Sequence, residues 1–296
     1  MVNQICADVS KTSVTNSTLL NNPKPEDNSL NDIIRHNNRE SLYVHPIVWT
    51  ARHLQLLGCF ITNKRTLYVA SGKLSENTKR AADRLTYVKS PEDRKNEIML
   101  LLGSYGVQYS WHNSNKLPFR FNNRRVASLA TGGIYTRPSG EVFLAYINLG
   151  TIVDFRKFKI FHGKRNLLEE FYSSPVAQKY QKRLAKVTPK NADCDPYIMA
   201  LLIALGHEQR AWFRKQAVSQ KDRNFFEVYV ITAAPTEKLH LKIHKARISS
   251  LFLDKFENPS RCPTNTKNTM RALTYRIDCP TTEVLGGTLK SLLAIE

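Results

Sequence analysis

The chain has 296 residues, of which 42% are hydrophobic, 9% aromatic and 23% charged, a globular composition that excludes the disordered, collagen-like and disulfide-scaffold classes. At about 150 residues per domain this length gives one or two domains, enough to bury a core without crosslinks. Forty-four Lys and Arg against 25 Asp and Glu leave a net charge of +19, which calls for either a polyanionic partner or a solvated basic surface.

Residues 1–40 are rich in Asn, Ser and Thr and poor in large apolar side chains, and they are expected to form a disordered tail. The start Met1-Val2-Asn3-Gln4 lacks the basic and apolar regions of a signal peptide. Order is expected from Leu42, where Tyr43, Val44, Ile47, Val48 and Trp49 cluster and Pro46 opens a helix running to Gly58. A short strand over Leu67, Tyr68 and Val69 follows, then a helix capped by Ser75 that turns Ala81, Ala82 and Leu85 inward. Ser90-Pro91-Glu92-Asp93 supplies an N-cap hydroxyl, a first-turn proline and dipole-matched acids, the start of another helix.

From Gly132 the pattern becomes strand-like. Ile134 to Arg137 and Glu141 to Leu149 flank Pro138-Ser139-Gly140 as a hairpin, and the second strand is apolar on both faces, as a central strand of a covered sheet would be. Ser174-Pro175 starts a basic helix with Val176, Tyr180 and Leu184 as its apolar stripe. Asp195-Pro196 opens an apolar core helix, with no stretch beyond Tyr197 to Leu205 approaching the roughly 20 residues of a membrane span. A second hairpin spans 225 to 245, Ser249 caps a last helix through Phe256, and 258 to 269 reads as a loop. The expected fold is therefore α+β, a mixed sheet with two hairpins packed on helices. One domain is expected over 41–296, with a possible sub-boundary near 187–194.

Charge concentrates in residues 101–190, where 15 basic side chains face only Glu141, Asp154, Glu169 and Glu170. The runs Lys116 to Arg125 and Asp154 to Arg165 interleave aromatics with cations, the combination that holds single strands by stacking and phosphate neutralisation. Lys238, His240, Lys242 and His244 alternate with Leu239, Leu241 and Ile243, so an extended strand would set them about 7 Å apart in one row. The expected polyanion contacts are Arg120, Arg124, Arg125, Arg156, Lys157, Lys159, Lys164, Arg165, Lys238, His240, Lys242 and His244. Lys179-Tyr180-Gln181-Lys182-Arg183-Leu184-Ala185-Lys186 has the character of a nuclear import signal and equally of a solvated helix face.

No phosphate loop, dinucleotide fingerprint, zinc-protease helix or nucleophile elbow occurs. Five widely spaced cysteines encode neither a disulfide framework nor a zinc ribbon, and they read as structural thiols. A metal-dependent nuclease of restriction-endonuclease-like type would need carboxylates around Mg²⁺ with a lysine on the next strand. Glu208, Glu227 and Lys242 supply the nearest match, without the strand Asp such a site wants.

Asp195-Pro196-Tyr197-Ile198 leading an apolar helix, with Ile248-Ser249-Ser250-Leu251 downstream, resembles an uncharacterised family of intracellular proteins from filamentous fungi. The resemblance covers residues 193–263 and implies an intracellular helix-and-hairpin scaffold and no activity; no cofactor is expected except Mg²⁺ under the nuclease alternative. The function expected is a non-catalytic module, nuclear or cytoplasmic, that binds nucleic acid or another polyanion through a basic surface. The alternatives are the nuclease and a regulatory factor with an acidic protein partner and no nucleic-acid binding.

Overall fold

The structure, a computed structural model, describes residues 24–64, 75–88, 90–110, 115–161, 175–216, 224–234, 240–263, 268–278, 287–289, 291 and 293. A seven-stranded mixed sheet forms the frame, joining strands drawn from residue 59 to residue 278. The strands are β1 (Cys59–Lys64), β2 (Gln108–Tyr109), β5 (Gly133–Thr136), β6 (Val142–Asn148), β7 (Phe225–Ala233), β8 (His240–Ser249) and β9 (Met270–Asp278), in the order β1-β9-β8-β7-β6-β5-β2. Both expected hairpins are present: β5 pairs antiparallel with β6, and β7 with β8. The hairpins join through a parallel β6·β7 contact, with Leu144 opposite Tyr229 and Asn148 opposite Ala233. A separate two-stranded ribbon, β3 (Lys116–Phe121) and β4 (Arg124–Ala130), lies outside the main sheet.

Helices cover both faces, which is why the central strands lack a polar side. On one face Ala145, Ile147, Val228, Val230, Ala246 and Ile248 pack beneath α7 (Pro196–Lys215). On the other, Tyr146, Tyr229, Ile231 and Ile243 meet α3 (Glu76–Tyr87) and α4 (Pro91–Gly103) through Leu85, Leu101 and Leu102. The α7 helix starts where Asp195 Oδ1 accepts from the Tyr197 N–H at 2.9 Å and Pro196 occupies the first turn. Residues Pro196 to His207 are all buried. The Ser75 and Ser90 caps also form, and Ser249 caps α8 (Ser250–Glu257) by accepting from the Phe252 N–H at 3.1 Å.

Several boundaries differ from the sequence reading. Of the expected tail, residues 1–23 lie outside the described residues. Residues 24–40 contain α1 (Leu30–His36), fastened when the Asn31 N–H donates to the Pro259 carbonyl at 2.8 Å and the Cys262 N–H to Glu26 Oε2 at 2.7 Å. The helix expected from Pro46 to Gly58 divides into a 3₁₀ turn, Pro46–Val48, and α2 (Ala51–Leu57), because Trp49 is extended at ψ 150° and Thr50 caps anew. The strand expected at Leu67 to Val69 lies outside the described residues. The aromatic-cationic run 154–165 belongs to α5 (Leu149–Ile160) as far as residue 160, and Lys116 to Arg125 forms the β3–β4 ribbon and its turn. Asn122 and Asn123 make that two-residue turn with φ of 52° and 57°, the left-handed pair a tight hairpin requires. In α6 (Pro175–Val187) the buried residue is Ala177, while Val176 is 56% exposed, so the expected stripe loses its first member and keeps Tyr180 and Leu184, both half-buried.

Gly132 enters β5 against Tyr146, and a Cβ there would lie 2.8 Å from the Tyr146 ring Cδ1 and 3.2 Å from its carbonyl oxygen. The ring is buried at 1% exposure and cannot swing into solvent. Gly132→Ala is expected to cost about 1–3 kcal/mol by overpacking. An unchanged urea midpoint would show that the hairpin yields at this point.

Candidate functional site

The basic surface is built on two helices. α5 follows β6 directly, its first turn closed when the Gly150 N–H donates to Asn148 Oδ1 at 2.8 Å. Ile152 and Arg156 face inward, and the helical period then turns Asp154, Lys157, Phe158 and Lys159 to solvent. The α6 helix leans on the end of α5 through Phe161 and Tyr180, whose ring centroids are 5.2 Å apart. Its opposite face carries Lys179, Lys182, Arg183 and Lys186, all exposed. These positions are i, i+3, i+4 and i+7, so the four cations lie along one stripe about 10 Å long. With Pro175 and Gln178 they line a shallow depression. Among the described residues, none of the four has an acidic group within 4.0 Å.

Two arginines of the β3–β4 turn extend this surface. Arg124 and Arg125 are exposed, and Arg125 Nη2 donates to Ser128 Oγ at 2.7 Å. The Ser128 backbone lies beside His45, whose imidazole is held below the usual histidine range by burial and then by the positive charge of Lys159. Arg125 and Lys159 therefore sit around a common neighbour although 34 residues apart in the chain.

Other expected contacts go elsewhere. Arg156 is 1% exposed; its Nη2 donates to Asp195 Oδ1 and Oδ2 at 2.8 and 2.9 Å and its Nε to the Ile47 carbonyl at 3.0 Å. It is a buried structural cation rather than a surface one. Arg120 turns to Glu208, 3.5 Å away. The row on β8 is not a solvated face: Lys242 is ion-paired with Asp193, and His244 is fully buried between Thr232 Oγ1 at 3.1 Å and Thr274 Oγ1 at 2.9 Å. The sheet face that His244 shares with Ala246 and Ile248 is covered, which overrides the alternation seen in sequence. Lys164, Arg165 and Lys238 lie outside the described residues. His240 is described only in its backbone, opposite Asp278.

Glu227 and Lys242 of the nuclease alternative lie apart on the sheet. On the β7–β8 ladder Glu227 is opposite Arg247 and Lys242 opposite Thr232, five residues further along, a separation of about 17 Å. Burial alone would raise the Glu227 carboxyl, but the Tyr229 hydroxyl and Lys245, 3.0 Å away, hold it below the usual range. Glu208 sits on α7 against Arg120, beside a network in which Glu257 meets Arg210, Arg214 and His207. Burial opposes ionisation of Glu257 too, yet those cationic and imidazole partners bring its carboxyl to about 2. No cluster of three or more His, Cys, Asp or Glu suited to a metal occurs among the described residues, and Cys59, Cys194 and Cys262 are free thiols.

The expected basic surface over residues 116–190 takes in α6, but its four cations are not among the individual contacts expected, although their spacing at i, i+3, i+4 and i+7 behind a proline start carries the signal. No protein-family model, curated protein or solved structure matches the chain.

Proposed function

We propose that the protein is a non-catalytic module that binds nucleic acid through the α5–α6 face, tracking phosphates rather than reading bases. The observation that carries this reading is the α6 stripe of Lys179, Lys182, Arg183 and Lys186; α5 adds the exposed Lys157 and Lys159. Asp154 is the one exposed acid among the described residues of these two helices. With no acidic group within 4.0 Å among the described residues, these cations need break no ion pair there on binding, and releasing counterions from the phosphates supplies the driving force. A stripe of about 10 Å spans about three intervals of 3.4 Å axial rise, which is about four phosphates along one strand. Phe158, 53% exposed between Lys157 and Lys159, adds a face on which an unpaired base can stack. A nuclear setting accords with the import-like character of the same residues. Among the described residues no helix is long and apolar enough to cross a membrane.

The test is fluorescence anisotropy of labelled single- and double-stranded DNA and RNA against the full chain, from about 50 to 200 mM salt, with and without Mg²⁺. Log affinity should fall linearly with log salt. Replacing Lys179, Lys182, Arg183 and Lys186 together by Ala should reduce the slope by about 4 and weaken binding roughly 100-fold or more at low salt. Absence of binding at 50 mM, or a quadruple variant with the parent slope, would overturn the reading and turn attention to an acidic protein partner. Loss of substrate only with Mg²⁺ would instead favour the nuclease.

A further inference from the structure

We propose that the chain carries a second site: an apolar pocket that binds a small aliphatic carboxylate, its tail in the pocket and its anionic end on Lys159. The pocket, of about 250 Å³, lies between α1, the segment 42–49, α2 and the β3–β4 ribbon. Its floor is withdrawn from water, with Trp49 6%, Phe119 4% and Phe256 2% exposed. These rings brace one another edge to face, Trp49 on Phe119 at 5.3 Å and Phe119 on Phe256 at 5.8 Å, so the cavity is walled before any ligand arrives. Its mouth carries the exposed apolar side chains of Tyr43 and Val126, 64% and 42% accessible.

The polar groups on the lining select the ligand. Two histidines line the pocket: His53 has both ring nitrogens engaged and His45 has Nδ1 engaged. His45 Nδ1 accepts from the Ile47 N–H at 3.2 Å, with the Ser128 backbone beside the ring, and His53 Nδ1 accepts from the Thr50 N–H at 3.1 Å with Nε2 on the Ser41 carbonyl at 3.3 Å. Burial lowers the pKa of both, so they are neutral. A sugar or a nucleobase would bring several donors and acceptors into a lining that has few left to answer them. Lys159 is the exception: it is exposed, lines the pocket, and has no acidic partner among the described residues. An apolar enclosure with one cation matches an apolar tail with one anion. At about 30 Å³ for each water-sized atom, the volume takes about eight non-hydrogen atoms, the length of an eight-carbon chain. This inference stands on the pocket alone and does not require the nucleic-acid reading, although Lys159 belongs to both surfaces.

Octanoate is the probe, with octanol as its neutral counterpart, titrated into the full chain by calorimetry, and nuclear Overhauser contacts locate the tail. Octanoate should bind saturably at one site, with contacts from its terminal methyl to the Trp49 and Phe119 rings. Lys159→Met alters an exposed side chain and should weaken octanoate about tenfold while leaving octanol unchanged. Ala127→Phe fills the cavity and should abolish the binding of both. No saturable binding, equal affinity for octanoate and octanol, insensitivity to Lys159→Met, or contacts away from Trp49 would each overturn the proposal. Since anisotropy with nucleic acid reads a different event, failure of one site leaves the other standing or falling on its own measurement.

Discussion

Arg156→Ala should lower the free energy of unfolding by about 3–5 kcal/mol, the largest single-residue effect expected in this chain. The guanidinium is 1% exposed and holds both oxygens of Asp195, itself 4% exposed, while its Nε satisfies the Ile47 carbonyl. Truncation strands a buried carboxylate and a buried carbonyl together. Asp195 is also the N-cap of α7, the helix with the most extensive burial, so the defect arises where the core helix begins. Arg156→Lys is not a conservative rescue, because an ammonium cannot span two carboxylate oxygens and the Ile47 carbonyl in one plane. Against a typical stability of about 5–15 kcal/mol, the Ala variant is expected to be marginal at 37 °C. Adding Asp195→Asn to Arg156→Met removes the stranded charge, and this double variant should unfold at higher urea than Arg156→Ala. A loss under about 1 kcal/mol for Arg156→Ala would mean that water reaches Asp195 and that the pair is not sealed.

The contrast between Arg156 and its neighbours shows where the sequence was legible and where it was not. Helix starts were readable because they are local chemistry: Ser75, Ser90-Pro91, Asp195-Pro196 and Ser249 each close a turn with atoms from residues two or three positions away. The hairpins were readable for the same reason, as a turn between two apolar runs. The destination of a cation is not local. In Arg156-Lys157-Phe158-Lys159 the residue that goes inside is chosen by Asp195, 39 residues away, and nothing in the run marks it. His244 is equally opaque. Its sequence neighbours alternate as a surface strand would, yet the partners that make burial tolerable are Thr232 and Thr274 on the two flanking strands. The parallel pairing of β1 with β9 joins residues more than 200 positions apart, beyond the reach of any turn signal. The Asn122-Asn123 turn, by contrast, was legible in principle. Its left-handed pair lies between Leu117, Phe119 and Ala127, Leu129, which are buried in alternation, and Pro118 within the first run obscured the strand.

His244 also predicts an acid weakness. Burial holds its imidazole far below the ordinary value of 6.5, at about 3, so the folded chain keeps it neutral while the unfolded chain protonates it as pH drops below about 6.5. A depressed histidine pKa therefore contributes nothing unfavourable above pH 6.5, and stability declines from there down to about pH 3. Between pH 7 and pH 5 this group alone should remove about 2 kcal/mol. His207, buried and lowered chiefly by desolvation, acts with the same sign. Glu257 does not share the window, since a carboxyl held at about 2 favours the fold above its unfolded value near 4.5 and loses that contribution only as pH falls toward 2. His244→Gln separates the charge from the hydrogen bonds. An amide can donate to one threonine hydroxyl and accept from the other, as the neutral ring does, but it never protonates in this range. Urea unfolding at pH 7, 6 and 5 should show the parent chain losing stability and the Gln variant losing about 2 kcal/mol less over the same span. If both decline in parallel, His244 takes up its proton in the fold as readily as in the unfolded chain, and the buried Thr232-His244-Thr274 bridge must open to water well above the pH at which the fold is lost.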